Sequence, residues 1–161
     1  MSSFNRRSLL FLPLALAACG FEPVYGPGGS AAVLRGRVLV DAPDDVDSYR
    51  LVRELESRLG RAQAPQYRLS IALVTANEGQ GVTATGDITR YSIVGEAEYV
   101  LRRISDDEVV ASGSVGNFTG YSATGSTVET LATERDARNR LLTILADQIT
   151  AQLYSSPGLG A

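Results

Sequence analysis

The sequence predicts an α+β fold: two helices packed on one face of a four-stranded mixed sheet, in the order β-α-β-β-β-α. Three observations lead there. Tyr67–Leu73 and Arg90–Arg103 alternate apolar and polar residues, the period of half-buried strands. Tyr49–Leu59 and Ser126–Tyr154 repeat apolar residues at helical spacing. One strand–helix unit then precedes three strands joined by short turns, and a helix closes the chain.

The elements follow in order. Val33–Val40 ("VLRGRVLV") reads as a strand, with Arg35 and Arg37 on one face and Leu34, Val38 and Val40 on the other, interrupted by Gly36. Asp41-Ala42-Pro43-Asp44-Asp45 ends it. The first helix spans Tyr49–Leu59, with Asp47 or Ser48 as N-cap and Gly60 after its last residue. Leu51, Val52, Leu55 and Leu59 form its apolar stripe. Arg50–Glu54 and Glu54–Arg58 are i,i+4 pairs on the wet side. After the strand Tyr67–Leu73, the glycines of Thr75–Asp87 read as a loop or hairpin end. That segment has no Lys and no phosphate-loop pattern.

In Arg90–Arg103, Tyr91, Ile93, Ala97, Tyr99 and Leu101 share one face; Ser92, Glu96, Glu98 and Arg102 share the other. Asp106-Asp107 is a turn, and Glu108–Thr119 is the last strand. In the final helix Ser126 and Glu129 fit a capping box. Leu131, Ala137, Leu141, Leu142, Leu145, Ile149 and Leu153 make its apolar stripe, with Thr133–Asp136 and Arg138–Arg140 on the wet side.

Composition limits the chemistry. The 161 residues contain no His, no Trp and one Cys, Cys19. No imidazole base can activate a nucleophile, no Cys/His zinc cluster can form, and no disulfide can close within the chain. Carboxylate chemistry stays open. Its candidates are Glu96 and Glu98, about 7 Å apart along one strand face. They sit on a polar face and read as solvated surface. No cofactor and no metal is expected. All 15 basic residues are Arg, and the formal net charge is −3, which gives no general affinity for nucleic acid.

The N-terminus has the layout of a secretory signal. Arg6 and Arg7 precede the apolar run Leu9–Ala18. Ten residues rise only about 15 Å as a helix, against a hydrocarbon core of ~30 Å. The run is too short to span a membrane. Leu16-Ala17-Ala18-Cys19 resembles a bacterial lipobox, the signal for cleavage before a cysteine that then carries acyl chains. Multiple chains would hold the protein firmly, because each buried CH₂ contributes about 0.8 kcal/mol. Gly20, where an Asp would favour the inner membrane in such lipoproteins, points to the periplasmic side of the outer membrane. The arginine pair also faintly resembles a twin-arginine signal; general secretion is the preferred reading. The expected organisation is a signal peptide (1–18), a lipidated Gly/Pro-rich tether (19–32), one α+β domain (33–155) and a flexible tail (156–161).

The lipobox continuing as Cys19-Gly20-Phe21-Glu22-Pro23-Val24-Tyr25-Gly26, the element order, and the helix "ERDARNRLLTILADQITAQL" (Glu134–Leu153) together resemble the LPS-assembly lipoprotein family, LptE, in its alphaproteobacterial form. The resemblance implies a non-enzymatic outer-membrane lipoprotein. Such a protein plugs the large barrel LptD, assists its assembly and helps pass lipopolysaccharide to the outer leaflet. The implied partners are LptD, lipopolysaccharide and, through Cys19, the membrane. Arg90, Arg102 and Arg103, at the two ends of one strand, are the candidates for lipopolysaccharide phosphate. Ser112, Ser114, Gly116 and the Thr75–Asp87 loop are candidates for packing against a barrel lumen. The alternative is an accessory binding lipoprotein of another envelope assembly or lipid-transport machine.

Overall fold

The longest helix and the longest strands set the architecture. The structure, a computed structural model, describes residues 29–82, 88–156 and 159. Cys19, the signal segment and most of the expected tether lie outside these residues. Strands β1 (Val38–Val40), β2 (Tyr67–Val82), β3 (Ile88–Arg103) and β4 (Val109–Ser122) form one sheet in sequence order. β1 runs parallel to β2, and the other pairs are antiparallel. Helices α2 (Val46–Leu59) and α3 (Thr127–Tyr154) cover one face, and a short α1 (Ser30–Leu34) precedes β1. The α+β class, the mixed four-stranded sheet and the order from β1 onward match the sequence reading.

Only the last three residues of the first expected strand are strand: Val33 and Leu34 end a helix, and Arg35–Arg37 form a turn. Ala31 and Leu34, three apart, both bury, which only a helical turn allows. Gly36 then adopts φ +71, which favours glycine, and turns the chain. Its N–H donates to the Leu59 carbonyl at 2.7 Å, pinning the turn to the end of α2. Only Val38–Val40 remain for the sheet. Helix α1 also takes Ser30–Ala32 out of the expected tether. Ser30 Oγ donates to the Tyr154 carbonyl, tying α1 to the end of α3.

Helix α2 begins earlier than expected. Its N-cap is Asp45: Oδ1 accepts from Ser48 N–H at 2.6 Å, and Ser48 Oγ accepts from Asp45 N–H at 2.9 Å. That reciprocal box satisfies two free amides. Gly60, at φ +78, ends the helix; a Cβ there would lie 3.2 Å from the Gly36 nitrogen. Strand β2 is also longer than expected. It continues to Val82 with register shifts around Gly81, so much of the expected loop pairs with β3. β4 runs three residues past Thr119.

The core lies between α3 and the sheet. Leu141, Leu145, Ile149 and Leu153 are fully buried against β3 and β4. Gly95 lets them approach: a Cβ there would sit 3.0 Å from Leu141 Cδ2 and 3.2 Å from Leu145 Cδ1. Leu51, Leu55 and Leu59 of α2 complete the layer with Val38 and Leu69. Leu131 was placed in the α3 stripe, yet it is 56% exposed. The first turns of α3 run beyond the part that α2 and the sheet cover.

Leu145→Ala is expected to lower unfolding free energy by about 2–5 kcal/mol in urea titration, the range for emptying a packed leucine site. Leu131→Ala should change it by less than about 0.5 kcal/mol, as at ordinary surface positions.

Candidate functional site

Both long helices lie on one side, and among the described residues no element covers the opposite sheet face, which is bare to that extent. Strand alternation decides which residues stand on it. Ala72, Glu98 and Ser114 form one row across β2, β3 and β4; Val74, Glu96 and Gly116 form the next; Ala76, Val94 and Phe118 the third. The centre is small and polar. One end is apolar: Val74 is 69% and Phe118 66% exposed. Ser112, Ser114 and Gly116 are exposed on this face, as the alternation required. Of the Thr75–Asp87 segment, residues 83–87 lie outside the described part. Glu96 and Glu98 are exposed here and make no ion pair among the described residues. Two solvated carboxylates on an open face have neither the enclosure nor the apolar wall that general acid catalysis uses. No cluster of metal-ligating side chains occurs among the described residues.

The three candidate arginines are not one patch. Arg90 is twelve positions from Arg102 along β3, about 40 Å at the rise of a strand. Arg90 is exposed and makes no ion pair among the described residues. Arg102 and Arg103 are held by the β3–β4 turn. Arg102 Nη1 donates to the Asp107 carbonyl at 3.0 Å and faces its carboxylate at 3.5 Å. Arg103 Nη1 donates to Asp106 at 2.9 Å and to Glu108 at 2.6 Å. The Asp106 and Glu108 hydrogen bonds hold the Arg103 guanidinium above its ordinary pKa. Asp107, at φ +57, makes the tight turn that aims these carboxylates back at the strand end.

The densest charge cluster includes Glu134 and Arg138, on the side of α3 that the sequence predicts to be wet. Arg138 Nη1 donates to Asp47 Oδ2 at 2.7 Å, and Nη2 donates to Glu134 Oε1 at 3.1 Å. Nη2 also reaches Asn77 Oδ1 at 3.3 Å, and Asn77 Nδ2 donates to Glu134 at 3.1 Å. Thr75 Oγ1 donates to Asp47 at 3.2 Å. The cluster joins α2, α3 and β2. Burial works against the Arg138 charge, but Asp47 and Glu134 outweigh it and keep its pKa raised. Hydrogen bonds from Asn77 and then Arg138 pull the Glu134 carboxyl below its ordinary range. Every strong donor has an acceptor, so the cluster works as a fastening. A second ion-pair group repeats it at the other end of α2: Arg58 donates to Asp147 at 2.6 Å and to Glu54 at 2.9 Å. Arg50, expected to pair with Glu54, instead faces Asp47 at 3.6 Å. Only the i,i+4 spacing of Glu134 and Arg138 was visible locally. Asp47 is 91 positions from Arg138 and carries no local signal.

A two-layer α+β domain is the class this geometry defines, and solved lipoproteins share the fold. A lipoprotein from Caulobacter crescentus superposes with a TM-score of 0.65 at 20% identity, covering 79% of this chain and 96% of that one. Lipoprotein B from Nitrosomonas europaea gives 0.59 at 14%, covering 87% and 95%. Rare lipoprotein B from Shewanella oneidensis gives 0.57 at 10%, covering 74% and 92%. These likenesses establish the fold. The family model for LptE, described as lipopolysaccharide-assembly, matches residues 35–153, and the chain belongs to that family. No curated protein matches the sequence significantly.

The Arg138 cluster gives a pH test. Glu134 has a lowered pKa in the folded chain, so its contribution is complete above the ordinary value of 4.5 and fades as pH falls through the folded value. Thermal unfolding should show wild type above Glu134→Gln at pH 7, with the gap closing as the pH is lowered below that ordinary value. Arg138→Ala should lower stability by about 1–3 kcal/mol at pH 7, because it strands two half-buried carboxylates.

Proposed function

We propose that this chain is the lipoprotein subunit of the lipopolysaccharide export barrel: it plugs LptD, assists its assembly and takes part in passing lipopolysaccharide to the outer leaflet. The observation that carries this reading is the LptE family match, which runs from the turn before β1 to the end of α3. The family belongs to lipopolysaccharide assembly.

The chain's own features support the barrel role. Cys19 follows a short apolar run and small residues, so acylation there would anchor the domain at the periplasmic side of the outer membrane. The bare face offers a flat, small-residue surface, and barrel lumens are polar. Its apolar end, Val74 and Phe118, is suited to contact with protein more than with water. A non-catalytic role agrees with a chain that has no His and spends its one Cys on an anchor. Among the candidates for lipopolysaccharide phosphate, Arg90 comes first, because its charge is uncompensated among the described residues. Arg102 and Arg103 would have to exchange a carboxylate for a phosphate.

Depletion of the protein in its own cells should reduce surface lipopolysaccharide and mature LptD together. Photocrosslinking from position 114 should capture a large β-barrel protein, and Cys19→Ser should release the protein from the outer-membrane fraction. Normal levels of both surface lipopolysaccharide and barrel after depletion would overturn the reading and leave the accessory-lipoprotein alternative.

A further inference from the structure

The sheet treats its two edges differently. At the β4 edge, side chains of α3 and its neighbours reach free carbonyls. Gln152 Nε2 approaches Ser114 O at 3.4 Å, Arg140 Nη2 approaches Gly120 O at 3.4 Å, and Thr133 Oγ1 donates to Ser122 O at 3.2 Å. The β2 edge lacks such cover. β1 pairs only with Tyr67–Leu69, and its last bond runs from Asp41 N–H to Leu69 O at 2.9 Å. Tyr67 and Leu69 use their main chain toward β1, so alternation aims the N–H and C=O of Ile71, Leu73, Thr75 and Asn77 out along the same edge. Among the described residues no hydrogen bond reaches these outward main-chain groups. A long uncapped edge is a template for another strand.

A groove of about 380 Å³ opens where β1 leaves the sheet. Val40, Val52, Ile71 and Leu73 line its apolar walls, and Asp41, Asp44 and Asp45 lie along its bend. Pro43 lies in that bend and cannot donate to a ladder, so β1 does not continue past it. Asp41 turns toward the bare face, where Ser70 Oγ donates to it at 2.6 Å.

We infer that the β2 edge from Ile71 to Gly79 is a strand-addition site for an extended peptide segment that alternates apolar and basic residues. Its main chain would continue the column that β1 begins. Every second side chain would enter the groove beside Ile71 and Leu73. The intervening basic side chains would meet Asp41 and the acidic bend. Main-chain bonds supply affinity and alternate side chains supply selection in this mode. A second copy of this chain is the wrong occupant. Two-fold pairing centred on Thr75 brings Glu78 of one copy to the acidic bend of the other, and like charges facing across an interface oppose association. The site goes beyond the proposed role in the barrel.

The test uses the purified full-length protein in detergent with fluorescein-labelled nine-residue peptides, one alternating Val and Arg, one alternating Val and Glu. Anisotropy should show saturable binding of the Val/Arg peptide only. Asp41→Asn/Asp44→Asn should weaken it about tenfold at low salt. Hydrogen exchange should show new protection at the amides of Leu73, Thr75 and Asn77. Leu73→Pro, which removes one outward N–H, should abolish that protection while exchange in α3 stays unchanged. If that variant fails to fold, the double asparagine variant and the amide pattern still decide. No binding, equal binding of the Val/Glu peptide, or protection outside β2 would overturn the proposal. So would protection of the same amides that rises with protein concentration without peptide, the mark of a second copy.

Discussion

The contact between α3 and the sheet is the constraint on which the rest depends. A four-stranded sheet with two strands of sixteen residues cannot bury itself. One helix of 28 residues, laid across β3 and β4, supplies most of what it needs. The contact works because the sheet gives way under it. Gly95 removes a side chain where Leu141 and Leu145 descend. Thr119, almost buried, donates its hydroxyl to the Ala137 carbonyl at 2.8 Å, so the polar group costs little there. Helix α2 is then placed by α3 as much as by the sheet: Arg58–Asp147 and Asp47–Arg138 fasten its two ends.

Covering one face so completely leaves the other with nothing from the described chain. That asymmetry shapes what the domain can do. A protein with both faces covered offers only loops and helix surfaces to partners. This one offers a flat array of small side chains, an apolar strip at one end, and an edge with unpaired main chain. The capped β4 edge shows that the fold can shield an edge when a helix passes near it. Along the β2 edge α3 meets the side chains of Thr75 and Asn77 and not the outward main chain, and short β1 pairs only with Tyr67–Leu69.

Much of this was legible in the sequence because it depended on periodicity. The buried face of β3, the stripe of α3 from Ala137 to Leu153, and the Ser126–Glu129 cap all follow local rules. The errors share another cause. "VLRGRVLV" has the β-branched residues of a strand, but Gly36 at positive φ and the burial of Leu34 in the core converted its first half to helix and turn. Gly79 and Gly81 read as a loop, yet pairing to Tyr91 and Arg90 in a long hairpin overrode their weak strand preference. For the candidate site, alternation placed Ser112, Ser114, Glu96 and Glu98 on the open face. It could not say that Arg102 and Arg103 would be neutralised by their own turn. It could not see the Asp47–Arg138 fastening, because that pairing exists only once α2 and α3 are side by side.

The fate of the arginines shows how tertiary structure edits a charge pattern. The chain uses Arg alone for positive charge, and many of these side chains are committed to neighbours: Arg58, Arg103, Arg138 and Arg140 each face carboxylates within hydrogen-bonding distance. A guanidinium fork already filled by carboxylates has few donors left for a phosphate, and exchanging one anion for another yields little net attraction. On the proposed role, binding to a phosphorylated lipid would depend on the few arginines that the domain's own acids do not reach. Arg90 meets that condition at the hairpin end of β3, beside the stacked rings of Tyr91 and Tyr121, whose centroids lie 5.4 Å apart. The same reasoning makes the acidic bend by β1 a poor neighbour for phosphate and a good one for a basic strand. The two ends of the bare face are thus suited to opposite partners, and that division follows from where the hairpin ends and where β1 stops.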